Sequence, residues 1–150
     1  MFRSLSFALA FAVFVFSGTA GAEDKKSVVT AMMEKAVAHY QSAGQDQAFK
    51  DFSKKDSEYY HGEYYVIAQS LTDDKIIFHP VNGKLVGKSL MKVKDTDGVV
   101  FVAEMSAVAK GKGDGWVSYK WPNPETKKIA QKHTYVNRVG DIFLMIGYYE

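Results

Sequence analysis

The sequence predicts an α+β domain: five antiparallel strands with a long helix on one face and a shorter helix on the other. Apolar residues recur at three- and four-residue steps over Ser27–Ser42, the period of an amphipathic helix. Five later runs are β-rich, and the turns joining most of them are too short for a parallel crossover, which needs a dozen residues or more. One long connection leads into a second apolar helical stretch, which places helices and sheet in separate layers.

Residues 1–22 stand apart from this domain. Arg3 is followed by the uncharged apolar run Leu5–Phe16 and the small residues Ser17–Ala22, the order of a secretory signal peptide ending in Ala20-x-Ala22. The run falls short of the ~20 apolar residues of a spanning helix, although retention as an anchor stays open. Removal leaves 128 residues, 23–150, enough for one domain with its own core. No later segment is long and apolar enough to span a membrane.

Within that domain, Ser27 is the expected N-cap of the first helix, which presents Val29, Met32 or Met33, Ala36 and Tyr40, and Gly44 stops it. A short helix over Gln45–Phe52 follows, then a polar loop over Ser53–Gly62. Glu63–Leu71 and Lys75–His79 read as a hairpin about Thr72-Asp73-Asp74. Val81–Gly98 is the long connection. It enters a helix over Val99–Ala109 with Asp95 or Asp97 as cap. Strands over Gly115–Trp121, Lys128–Asn137 and Ile142–Tyr149 complete the sheet, turning at Pro122–Glu125 and Arg138–Asp141.

Composition narrows the function. The net charge is +2, or about +1 without the leader, which leaves no footprint for nucleic acid. There is no cysteine, so thiol catalysis and Cys-ligated metals are excluded, and a core without disulfides suits a bacterial periplasm. No Gly-x-Ser-x-Gly elbow is present, and the four histidines include no pair at metal-ligand spacing. Asp95–Gly98 begins like a calcium loop, but Ser106 stands where the twelfth-position acid belongs. The sequence therefore points to neither an enzyme, a metal nor a cofactor.

A different pattern remains. "GEYYVIAQSLTDDKIIFHP" (62–80), "LVGKSLMKVKDTDGVVFVAEM" (85–105), "GDGWVSYKWPNP" (113–124), "KHTYV" (132–136) and "IGYY" (146–149) together resemble the single Cache sensor domains of bacterial chemoreceptors and histidine kinases. The likeness runs through nearly all of residues 23–150, in order. It implies a PAS-like sheet preceded by a long helix, with a small organic acid held between the sheet and the helix that covers the pocket. The chain departs from the family where "MIGYYE" replaces the usual small residues before the tyrosine. Family members are also flanked by transmembrane helices and followed by cytoplasmic signalling modules, whereas here the last strand is followed only by Glu150; the expectation from that departure is a soluble periplasmic module serving a separate membrane receptor or kinase.

Strand alternation puts Val117, Tyr119 and Trp121 on one face and Trp116, Ser118 and Lys120 on the other. Core packing accounts for Tyr119 and Trp121 as readily as a pocket wall does. The resemblance places Lys132 at the family's lysine, with Tyr135 three positions on. An ammonium offers three donors and a phenol one, which suits a carboxylate. A solvated Lys132 is the competing reading. His79 either donates to a ligand or ties the long loop to the sheet, and Phe101 and Met105 form an apolar lid or ordinary helix packing. The expected ligand-binding set is thus His79, Phe101, Met105, Tyr119, Trp121, Lys132 and Tyr135. The rival reading is an interaction module on the same fold, with Tyr59, Tyr60, Tyr64 and Tyr148 as a contact surface. A homodimer through the long helix is compatible with either, and a small hydrolase is the remote third possibility.

Overall fold

The computed structural model describes residues 20–150; the remainder of the expected signal peptide lies outside the described residues. Helix α1 spans Ala20–Ala43 and α2 spans Gln45–Phe52. Ser27 is not a cap. It sits inside α1 with its hydroxyl donating to the Glu23 carbonyl at 3.0 Å, because the helix begins about two turns before Ser27, at Ala20. Val29, Met32, Met33 and Ala36 are buried as that period requires. Gly44 separates the helices at φ 79°, a conformation that costs glycine little.

The expected strand over Glu63–Leu71 is divided. Strands β1 (Tyr60–His61) and β2 (Tyr64–Tyr65) form a small hairpin about Gly62 (φ 55°) and Glu63, so part of the expected loop is paired. Only β3 (Ile67–Ser70) enters the main sheet. It pairs with β4 (Ile76–Phe78) through the Thr72–Asp74 turn. Helix α3 spans Phe101–Gly111 and leads to β5 (Asp114–Pro122), β6 (Ile129–Val139) and β7 (Ile142–Tyr149). The sheet order is β4-β3-β7-β6-β5, antiparallel throughout.

Neither aspartate caps α3. Asp95 instead accepts from the backbone N–H groups of Asp97 (2.9 Å), Val99 (2.8 Å) and, across the fold, Lys120 (2.8 Å). These bonds hold its carboxyl below the ordinary range, led by the one from Lys120. The carboxylate that resembled a cation ligand thus fastens the long connection to the edge of β5.

Two apolar clusters sandwich the sheet. One gathers α1, α2, Leu144, Ile146 and Tyr148; the other gathers α3 with Val117, Tyr119, Val136, Phe143 and Met145. The two helical layers therefore cover opposite faces, and the candidate site lies on the α3 face.

Candidate functional site

Antiparallel register sets Lys132 directly between Tyr119 of β5 and Tyr149 of β7. Directly opposed residues share a face, so the three side chains form one row across the sheet. Lys132 is 3% exposed. Its Nζ donates to Tyr65 Oη at 3.1 Å and lies 4.9 Å and 4.7 Å from the ring centroids of Tyr65 and Tyr149. Burial opposes the charge on Lys132, but the oxygens of Tyr119, Tyr65 and Tyr149 and the Tyr65 hydrogen bond outweigh it, and the pKa sits above the ordinary lysine value. Burial raises the phenols of Tyr119 and Tyr149, so neither supplies a negative charge. Among the described residues, no carboxylate lies within ion-pair distance of Lys132. The result is a buried cation with donors to spare and no anion.

A glycine makes room for it. A Cβ on Gly147 would stand 2.8 Å from Lys132 Cε, 2.7 Å from Thr134 Oγ1 and 2.9 Å from the His133 carbonyl oxygen. The lysine stem therefore crosses β7 where β7 has no side chain, the close-approach role that a strand glycine often marks. Gly147→Ala is expected to lower stability by about 1–3 kcal/mol through overpacking, measured by urea denaturation, with the weakened site read from ligand affinity.

The walls are aromatic. Phe101 of α3 stacks on Tyr119 with centroids 4.2 Å apart and planes 2° from parallel, and meets Trp121 at 5.0 Å. Tyr119 Oη is hydrogen-bonded to Thr134 Oγ1 at 3.1 Å, and Tyr149 Oη donates to the Pro122 carbonyl at 3.2 Å. Met105 is buried in the same cluster as Phe101 and Tyr119. His79 lies beside Tyr65, ring to ring at 5.7 Å, and its Nδ1 accepts from the Asn82 N–H at 3.1 Å. That contact ties the long connection to the sheet. Burial first, and then the Lys132 charge, depress the His79 pKa to about 4.

Tyr135 does not join this group. Three positions along a strand reverse the face, so it packs beside Trp116 against the α1 cluster and donates to Asp114 Oδ2 at 2.5 Å. Its place beside Lys132 is taken by Tyr65 and Tyr149, which sequence reasoning missed. The only local signal was Gly147 inside a strand pattern. The contact-surface reading also loses a member, since Tyr148 is 1% exposed. Concavity alone does not mark this site. An open cleft of about 500 Å³ lies elsewhere, beside His39 and Tyr59. There the acid Asp51 is already bonded by Lys54 at 2.7 Å and by Gln47 and His39 at 2.9 Å.

Comparison with known proteins gives this geometry a context. A family model described as Cache domain matches residues 22–150. The methyl-accepting chemotaxis protein McpP of Pseudomonas putida is 35% identical over 78 residues, 52% of this chain; the aligned part is 14% of that longer protein. A solved structure presented as the structural basis for carboxylic acid recognition by a Cache chemosensory domain is 30% identical, with TM-score 0.66 over 87% of this chain and 93% of its own. The periplasmic sensor domain of a chemotaxis protein is 20% identical with TM-score 0.68, covering 88% of this chain and 99% of its own, a likeness of fold.

Proposed function

We propose that this chain, which belongs to the Cache domain family, is a ligand-binding sensory module that takes a small organic acid on Lys132. The observation that carries the reading is the buried ammonium without a countercharge. A charge removed from water costs several kcal/mol unless it is paired, and a ligand carboxylate would supply the partner that Lys132 lacks among the described residues. Tyr65 and Tyr149 flank the cation, while Phe101, Tyr119 and Trp121 offer an apolar wall to a short acyl chain. The 30% identical Cache structure, described as recognising carboxylic acids, supports the same ligand class.

Binding here is a matter of positioning, with no reaction assigned to the site. Even the best tiny ligands gain about −1.5 kcal/mol per non-hydrogen atom, so a four-atom acid reaches at most a Kd of roughly tens of micromolar. That affinity suits a sensor of a fluctuating metabolite. An output route begins at Tyr149: its ring borders Lys132, and its carbonyl accepts from Lys25 of α1 at 2.5 Å. Lys25 also pairs with Glu63 at 3.0 Å, so the site and the long helix share a residue. On this reading residues 1–22 direct export, the domain works in the periplasm, and its ligand state is passed to a separate membrane receptor or histidine kinase.

The experiment is a thermal-shift and calorimetric screen of residues 23–150 with formate, acetate, propionate and succinate, against acetamide, propionamide and matched amines. Stabilisation by one or more acids and by none of the amides is expected. A flat response to every acid overturns the reading and favours the interaction module.

A further inference from the structure

Three side chains on the α1 face of the sheet form one hydrogen-bonded line. Ser118 of β5 and His133 of β6 are direct cross-strand partners. Glu150, one residue past β7, is diagonal to His133, whose direct partner on that side is Tyr148. Ser118 Oγ lies 2.7 Å from His133 Nδ1, and His133 Nε2 lies 2.8 Å from Glu150 Oε1. The line is on the face opposite Lys132, because adjacent residues of β6 point to opposite sides.

Register explains why the three meet. The Lys120 N–H leaves the sheet edge to reach Asp95. Backbone groups alternate in direction along a strand, so the Ser118 N–H, two residues back, points to that same edge. Ser118 and His133 are therefore a non-hydrogen-bonded pair, the closer kind, with Cα atoms about 4.5 Å apart. No strand lies beyond β5 in the sheet, which leaves the Ser118 N–H facing an open edge.

The imidazole is held in one orientation. It stacks on Tyr148 with centroids 5.0 Å apart and planes 30° from parallel. A carboxylate only accepts, so Glu150 keeps a proton on Nε2 and leaves Nδ1 bare to accept from the Ser118 hydroxyl. Ser118 is exposed, and the His133 side chain keeps 19% of its exposure, so both can be reached from solvent. The half-buried Trp116, two residues before Ser118 on the same face, offers an apolar shelf beside it.

We propose that Ser118, His133 and Glu150 form a hydrolytic site for short-chain carboxylic esters. Nucleophile, base and orienting acid stand in the geometry that such chemistry needs. Ser118 Oγ attacks the ester carbonyl carbon while its proton passes to Nδ1, and the Ser118 N–H at the open edge is the donor for the oxyanion. The bond from the acyl carbon to the alkoxy oxygen breaks, and the Nδ1 proton goes to that oxygen, releasing the alcohol. Water then gives a proton to Nδ1 and its oxygen to the acyl carbon. The Oγ–acyl bond breaks, Oγ recovers the proton, and the acid leaves. Because Ser118 stands exposed at an edge, the site is open and suits small esters. The product is a short-chain acid, the ligand class proposed for Lys132. That link rests on the proposed function; the hydrolysis does not.

The test uses residues 20–150, which contain the whole sheet and both apolar clusters. A fluorophosphonate probe is expected to label Ser118, located by peptide mass spectrometry, and p-nitrophenyl acetate and butyrate are expected to turn over. Ser118→Ala should abolish labelling and lower kcat/KM at least about tenfold with the melting temperature unchanged, and His133→Gln should lower it about a hundredfold. Glu150→Gln should lower kcat about tenfold at constant KM, as expected of a positioning residue whose loss frees the imidazole tautomer. Absence of labelling, or labelling elsewhere, overturns the proposal. So does full turnover in Ser118→Ala, since the imidazole would then act on the ester alone, and so does an unchanged kcat in Glu150→Gln. A flat acid screen leaves this result standing, because the two sites occupy opposite faces and share no residue.

Discussion

Lys132→Met is expected to abolish the thermal response to short-chain acids while leaving the ligand-free domain folded and within about 1 kcal/mol of the parent. Methionine matches the length of the lysine stem, so the space over Gly147 stays filled. The variant loses the Tyr65 hydrogen bond and two cation–ring contacts. It also removes a buried charge without an anion, and exchanges of this kind for apolar residues are often neutral or stabilising. Binding is a different account. A hydrogen bond to a charged group contributes roughly 1.5–3 kcal/mol, which is about a ten- to hundredfold change in Kd, and a ligand starting at tens of micromolar is left with no useful affinity. Calorimetry on both proteins checks the claim. Retained affinity in the folded variant would remove Lys132 from the site.

The second large effect is on stability against pH. With its ordinary value at 6.5, His79 is held near 4 by burial first and by the Lys132 charge second. Protonation would also end the bond that Nδ1 accepts from Asn82. The folded state thus resists a proton that the unfolded chain accepts. This contribution is complete above pH 6.5, declines as pH falls from 6.5 to 4, and is absent below. Its full size is up to about 3 kcal/mol. Urea midpoints across that range should fall with acidity in the parent and much less in His79→Asn. In Lys132→Met the decline should be shallower, because one of the two causes is gone. A parent curve with the same slope as His79→Asn would contradict the assignment.

Local sequence carried most of the architecture. Helix α2 and strand β7 lie where their patterns predict to the residue. The Gly44 stop and the turns at Thr72–Asp74 and Arg138–Asp141 reflect backbone chemistry written in four or five adjacent residues. Two of the errors came where a nonlocal partner intervened. Asp95 reads as a helix cap until Lys120, distant in sequence, supplies the N–H that it accepts from. Glu63–Leu71 reads as one strand until Tyr60 and His61 take its first part into a separate hairpin.

The site was half legible. Lys132 could be singled out by resemblance, and the alternation of Val117, Tyr119 and Trp121 was readable directly. Strand parity was also enough to separate Tyr135 from Lys132. By contrast, Tyr65 meets Lys132 across 67 positions of chain, and Tyr149 becomes its neighbour only through the β6–β7 register. What the sequence by itself determined was which segments are helix or strand and which side chains share a face, because those follow from periods of 3.6 and 2 within each segment. Only the tertiary structure decided that Lys132 points into the domain, between two phenol rings and over Gly147. Strand order and register are set by the packing of remote segments, and a single segment carries no record of them.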